Sequence, residues 1–132
     1  MFNDNAPQAK LIHEFSTFEP EEENLILGHQ LLGQYMMAFV FVPEYIQWYM
    51  TEDRLREDYR FLKRGLQYLQ WQFHDGKSRP WVLKNPTFPG FEPLVAEVFP
   101  DAAFVATHRT PQSVLPSSIS LLHFLQSSLQ RC

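Results

Sequence analysis

The amino-acid sequence predicts an incomplete α/β fold, mostly helical, with two short parallel strands. Residues 53 to 73 carry Leu55, Tyr59, Leu62, Leu66 and Leu69 at steps of four, three, four and three, the period of one helix face. Trp81-Val82-Leu83 and Ala103 to Thr107 are short apolar runs of strand character, with a helical stretch between them. A strand, a helix, a strand and a helix over about fifty residues form a parallel unit with a right-handed crossover. Two strands leave both sheet faces and both edges uncovered, so either further strands come from outside this sequence or the chain is not an ordinary stable fold.

The first half, residues 1–76, reads as helical. Glu19-Pro20-Glu21-Glu22-Glu23 has the character of a helix start, with proline in the first turn and carboxylates facing the positive end of the dipole. That helix is expected to run to about Val42, where Pro43 interrupts it, and its late apolar stretch is expected to be deeply buried or to lie against a missing partner. A short helix over Pro43 to Met50 follows, then the long amphipathic helix from Asp53 to Phe73, ended by the Asp75-Gly76 turn. The rings at Phe39, Phe41, Tyr45, Trp48 and Tyr49 read as core rather than as an acceptor pocket.

Residues 77–132 form the second part of the same partial domain. Trp81 to Lys84 is the first strand, expected to be buried on both faces, and Phe91 to Phe99 is a helix with Pro93 in its first turn. Pro100-Asp101 makes a turn, and Phe104 to Thr107 is the second strand. Thr110 caps a last helix, Pro111 takes its first position, and Pro116 is placed to kink it.

Composition narrows the function. Fifteen acidic residues against eleven basic give a formal net charge of −4, and the basic cluster from Arg54 to Arg64 is interleaved with Glu52, Asp53, Glu57 and Asp58. That is a mixed helix surface and not the basic stripe of a nucleic-acid binder. The one cysteine, Cys132, supports neither a disulfide framework nor a cysteine zinc site, which fits a reducing compartment and a cytoplasmic location. His13, His29, His74 and His123 lack metal-ligand spacing, so no metal site is expected. The start is too polar for a secretory signal, and the longest apolar run, Tyr35 to Val42, is too short to span a membrane.

Ligands of open parallel sheets bind beyond the carboxyl ends of the strands. Lys84 follows the first strand and Arg109 the second, and Arg109 leads directly into a helix N-terminus, whose free N–H groups and dipole favour an anion. Ser117 lies eight residues further on, with a hydroxyl able to donate to a phosphate oxygen. Arginine suits the role because its planar fork makes paired hydrogen bonds to phosphate. The bland alternative is a surface arginine and a helix-interior serine.

These residues sit in a larger pattern. Arg79-Pro80-Trp81-Val82-Leu83-Lys84-Asn85-Pro86, Val98-Phe99-Pro100-Asp101-Ala102, Thr107-His108-Arg109-Thr110-Pro111 and Ser117 resemble the sulfotransferase family that uses 3′-phosphoadenosine-5′-phosphosulfate (PAPS), in its mainly bacterial branch. His13, Pro20 to Glu23, Pro43-Glu44-Tyr45 and Leu66 to Trp71 extend the resemblance over about residues 7 to 122. It implies a P-loop-like sulfotransferase fold, with Arg109 and Ser117 holding the 3′-phosphate of PAPS as co-substrate. It leaves the catalytic residues unassigned, with Lys84 and His108 as candidates. Lys84 meets the phosphosulfate or an acceptor, or is simply a strand-end lysine in water; His108 is catalytic, or a hydrogen-bonder beside the phosphate.

The departures carry as much weight. The sequence holds no Gly-rich phosphosulfate loop of the kind Gly-x-x-Arg-Ser-Gly-Thr-Thr, and the later segment that helps enclose the adenine nucleotide is also missing. Thr110 stands where the family places an Asp, and Phe88 where many relatives carry a His, a candidate general base. The resemblance therefore implies sulfuryl transfer to a hydroxyl or amine of a small-molecule or glycan acceptor, in a truncated form expected to be inactive alone. The alternative is a non-catalytic nucleotide-binding remnant or a protein-interaction partner. A companion chain is one candidate source of the missing strands, and a phosphosulfate loop supplied from upstream or by such a chain is what would favour the enzyme reading.

Overall fold

A computed structural model of the protein describes residues 20–30, 33, 36–37, 41–51, 53–73, 77, 79–86 and 89–129. Five helices lie within them: α1 (Asn24–Leu27), α2 (Pro43–Thr51), α3 (Arg54–Phe73), α4 (Glu92–Val98) and α5 (Pro111–Leu129). His13, Glu19, Phe39, His74, the Asp75-Gly76 turn, Phe88 and Cys132 lie outside the described residues.

The stripe on α3 organises the packing. Leu55, Tyr59, Leu62 and Leu66 are buried, and Leu69 is half-buried, as the alternating spacing requires. The first half of the stripe joins Tyr49 of α2 and Val95 and Val98 of α4 in one cluster. The second half, Leu62 and Leu66, meets Leu27 of α1, with Ile26, Leu83 and Phe99 packed around them. Each fully buried side chain of this size contributes about 1.5–3 kcal/mol by leaving water. One polar residue sits on the same face: Asp58, 2% exposed, accepts a short hydrogen bond from the Tyr49 hydroxyl and so ties α2 to α3. Beside it the Tyr45 hydroxyl donates to the Gly33 carbonyl at 3.2 Å.

Apart from Asp58, which the sequence placed on the charged surface and which is buried, the described charges on and beside α3 form a mixed surface. Arg56 pairs with Asp53 and makes a two-oxygen contact with Glu97 of α4 at 3.0–3.2 Å, while Arg60 pairs with Glu57 at 2.6 Å. The Arg56 guanidinium holds the Glu97 carboxyl below its ordinary range. Lys63 closes the other end of α4 by donating to the Val98 carbonyl at 2.7 Å, with its ammonium 5.7 Å from the Phe99 ring centre. Pro93 occupies the first turn of α4, where its missing N–H costs nothing.

Two expectations are corrected. The first is the single helix from Glu19 to Val42. Only α1 forms in its first part, and the bonds from His29 N–H to Ile26 O and from Gln30 N–H to Leu27 O tighten and close it. Gly28 and Gly33 account for this, since each disfavours a helix interior by about 1 kcal/mol. Phe41, read as core, is 69% exposed just ahead of α2 and Val42 is 40% exposed, so of the two alternatives for this stretch the exposure fits the missing partner and not deep burial.

The second concerns the strands. Among the described residues none lies in a strand; Trp81 to Lys84 and Phe104 to Thr107 are irregular. Val82 and Val105 are 95% and 91% exposed, against the burial on both faces expected for the first of them. A strand exists only through backbone bonds to a neighbour, and local sequence records readiness to pair without supplying the partner. Pro116 lies inside α5 without ending it, and the Ser120 hydroxyl donates to the Pro116 carbonyl at 2.9 Å. No helix of the described residues is long and apolar enough to cross a membrane.

Candidate functional site

Lys84 is the most constrained of the sequence-predicted residues. Its backbone N–H donates to Glu23 Oε2 at 2.9 Å, and its ammonium forms an ion pair with Glu22. The next residue, Asn85, is 8% exposed and donates from Nδ2 to Asn24 Oδ1 at 2.7 Å. Asn24 in turn donates to Glu22 Oε2 at 3.1 Å. Three consecutive residues, Glu22, Glu23 and Asn24, thus hold two consecutive residues some sixty positions on. The acidic run that read as a helix-dipole device serves instead as a tertiary clamp; Glu23, at the N-cap position of α1, makes no capping hydrogen bond.

Glu23 is 6% exposed, and its second carboxylate oxygen, Oε1, has no hydrogen-bond partner among the described residues. Lys84 keeps most of its side chain in solvent, at 73% exposure, while Glu22 is largely covered at 21%. The ammonium has three donors, so one pairing leaves others able to meet an anion.

His108, Arg109 and Ser117 lie on a different stretch. His108 and Arg109 are exposed in the irregular segment leading into α5, and Ser117 is exposed on that helix, about 9 Å along the axis from Pro111 at 1.5 Å per residue. The N-terminus of α5 is built by the Thr110 carbonyl, which accepts from the N–H groups of Ser113 and Val114 at 3.0 and 3.1 Å, and the Thr110 hydroxyl donates to Ser113 Oγ. The helix is long enough for its dipole and free amides to act on a nearby anion. The sequence placed a cation at each strand end; in the structure Lys84 is engaged by the clamp, and Arg109 stands open to solvent.

The clamp residues were missed because their signal is not local. A run of carboxylates before a short apolar stretch reads the same whether it faces a helix end or a distant loop. Asn85, one residue beyond Lys84, carries no local sign of its partner either.

A family model described as the sulfotransferase family matches residues 2–131. The chain belongs to the sulfotransferase family. It is similar to the omega-hydroxy-beta-dihydromenaquinone-9 sulfotransferase Stf3 of Mycobacterium bovis, 28% identical over 111 residues, and to the protein of the same name in Mycobacterium tuberculosis at the same identity. Each alignment covers 82% of this chain and 29% of the relative, so the chain spans less than a third of the length of these curated sulfotransferases. No solved structure matches the sequence. Sulfotransferase membership makes the chain part of a group-transfer family, and that family generally uses PAPS as the sulfuryl donor.

Proposed function

We propose that this sulfotransferase chain carries the 3′-phosphate end of a PAPS site, with Arg109 and Ser117 as its ligands. The observation that carries the reading is Arg109, exposed two residues ahead of Pro111 at the start of a nineteen-residue helix that bears Ser117. A guanidinium beside free helix amides suits a doubly charged phosphate, and a serine hydroxyl further along donates one more hydrogen bond. Lys84 lies at the end of the other apolar run and serves the phosphosulfate or the acceptor end.

In the reaction, an acceptor hydroxyl or amine attacks sulfur, and the bond from sulfur to the 5′-phosphate oxygen breaks. The acceptor proton goes to a base, and 3′-phosphoadenosine 5′-phosphate leaves. The chain's own residues contribute positioning and charge stabilisation of that leaving phosphate. Phe88 cannot take the proton, and His108 is the titratable candidate beside Arg109. The similar mycobacterial proteins are named for an omega-hydroxy quinone, which supports a hydroxyl as the acceptor group here. The exposed Val82 and Val105 favour a partner: further strands, from a longer sulfotransferase chain or a companion, that cover both segments.

Titration calorimetry with 3′-phosphoadenosine 5′-phosphate tests the site. Arg109→Ala is expected to lower affinity at least tenfold, as loss of a charged hydrogen bond of about 1.5–3 kcal/mol requires. Lys84→Ala has a smaller effect. Affinity unaffected by Arg109→Ala overturns the assignment.

A further inference from the structure

We propose that Glu22 is the counter-ion of Lys84 and competes with the anionic donor for that ammonium, so that the pair opens when the nucleotide binds. This rests on the functional reading above and adds to it a residue that sets how strongly Lys84 contributes.

The geometry of the clamp carries the inference. Glu23 and Asn24 fix the backbone and side chain of the Lys84-Asn85 pair, through the 2.9 Å bond to Lys84 N–H and the 2.7 Å bond from Asn85 Nδ2. These two bonds set where Lys84 emerges, and they are independent of its ammonium. Glu22 differs from its neighbours, because it engages only the charged end of Lys84 and is itself steadied by Asn24 Nδ2. Glu22 is therefore held and largely covered, whereas the Lys84 side chain is mostly exposed and free to swing on a backbone that stays put.

A carboxylate held in this way neutralises the lysine at rest. Exposed ion pairs are individually weak, about 0–1 kcal/mol, so an incoming phosphate or sulfate with several charged oxygens can displace the carboxylate. The device makes Lys84 contribute to anion binding less than a lone lysine would. It also keeps this segment from collecting small anions non-specifically, since the resting site carries no net positive charge there.

The test is a double-mutant cycle in the full chain, read as the dissociation constant of 3′-phosphoadenosine 5′-phosphate and as the melting temperature. Glu22→Gln keeps the shape and the acceptor for Asn24 but removes the charge. It is expected to tighten nucleotide binding about fivefold, the size of one weak ion pair. In the Lys84→Ala background the same substitution is expected to change nothing. Glu57→Gln, which neutralises a carboxylate on the α3 surface, controls for net charge and is expected to leave affinity unaltered. Glu22→Gln giving unchanged or weaker binding overturns the proposal, as does equal tightening with and without Lys84. The Arg109→Ala arm separates the two failures. If it weakens binding while the Glu22 and Lys84 variants do nothing, only this inference falls; if it has no effect, or if the parent chain binds no nucleotide, the functional reading falls with it.

Discussion

Tyr59 shows how one side chain can combine apolar packing with a pH response. Its ring is fully buried on the α3 stripe, and burial, with the Asp58 and Glu92 charges adding to it, pushes its phenol up to about 12. An unfolded tyrosine releases its proton near pH 10, so between about 10 and 12 the folded chain binds a proton the unfolded chain has lost. The contribution is fully present below pH 10 and is lost as pH rises towards 12, and it amounts to something on the order of 2 kcal/mol. Stability from urea unfolding at pH 8.5 to 11.5, steps of about half a unit, reads this out. Tyr59→Phe is expected to flatten the alkaline decline relative to the parent, and identical slopes would argue against the buried phenol as its source. Tyr45 shifts the same way, also through burial with help from Asp58, but its hydroxyl is committed to the Gly33 carbonyl.

The contact between α1 and α3 depends on a missing side chain. A Cβ built on Gly65 would lie 2.6 Å from Ile26 Cγ2, well inside the distance at which carbon atoms coexist. Gly65 sits inside a twenty-residue helix, where alanine is intrinsically better by about 1 kcal/mol. The clash opposes that gain, because Ile26 is β-branched and its Cγ2 cannot swing aside without leaving its preferred rotamer. Overpacking costs about 1–3 kcal/mol, so Gly65→Ala is expected to destabilise by roughly 1 kcal/mol net. Adding Ile26→Ala should return part of the loss and give a clear non-additive coupling in thermal melts. A stabilised single variant would mean that α1 does not press on α3 in solution. The same contact matters to the candidate site, since α1 begins at Asn24, the last residue of the Glu22-Glu23-Asn24 clamp that holds Lys84.

Across the whole chain the burial is uneven. The two apolar clusters lie on α1 to α4, while from Pro100 to His123 every residue except Val114 is exposed, Phe104, Val105, Leu115, Ile119 and Leu122 among them. Apolar surface of this kind, next to backbone that forms no strand among the described residues, invites pairing with another strand or chain. Val82→Lys with Val105→Lys is expected to reduce hydrophobic-dye binding and aggregation of the 132-residue chain while changing its stability by less than about 0.5 kcal/mol. In a longer sulfotransferase that covers both segments, the same pair should instead destabilise by several kcal/mol, because it would bury two charges. A large loss of stability in the 132-residue chain would show that these positions are already covered there.

The local sequence was enough to place α3, α4 and α5 and to name the buried stripe, because helix periodicity, proline at a first turn and ring-rich apolar spacing act within a few residues. The family was equally legible, from motifs in order along residues that the sulfotransferase model also spans. The helix expected from Glu19 to Val42 failed for a local reason that the glycines at 28 and 33 already carried. Other features lay beyond reach of any window: Asp58 facing inward to the Tyr49 hydroxyl, Glu22 to Asn24 gripping Lys84 and Asn85, and the two apolar runs lacking a ladder. Each depends on a partner many residues away, or on none being at hand. Propensity acts along the chain, whereas a buried carboxylate, an ion pair or a strand is defined by what meets it across space.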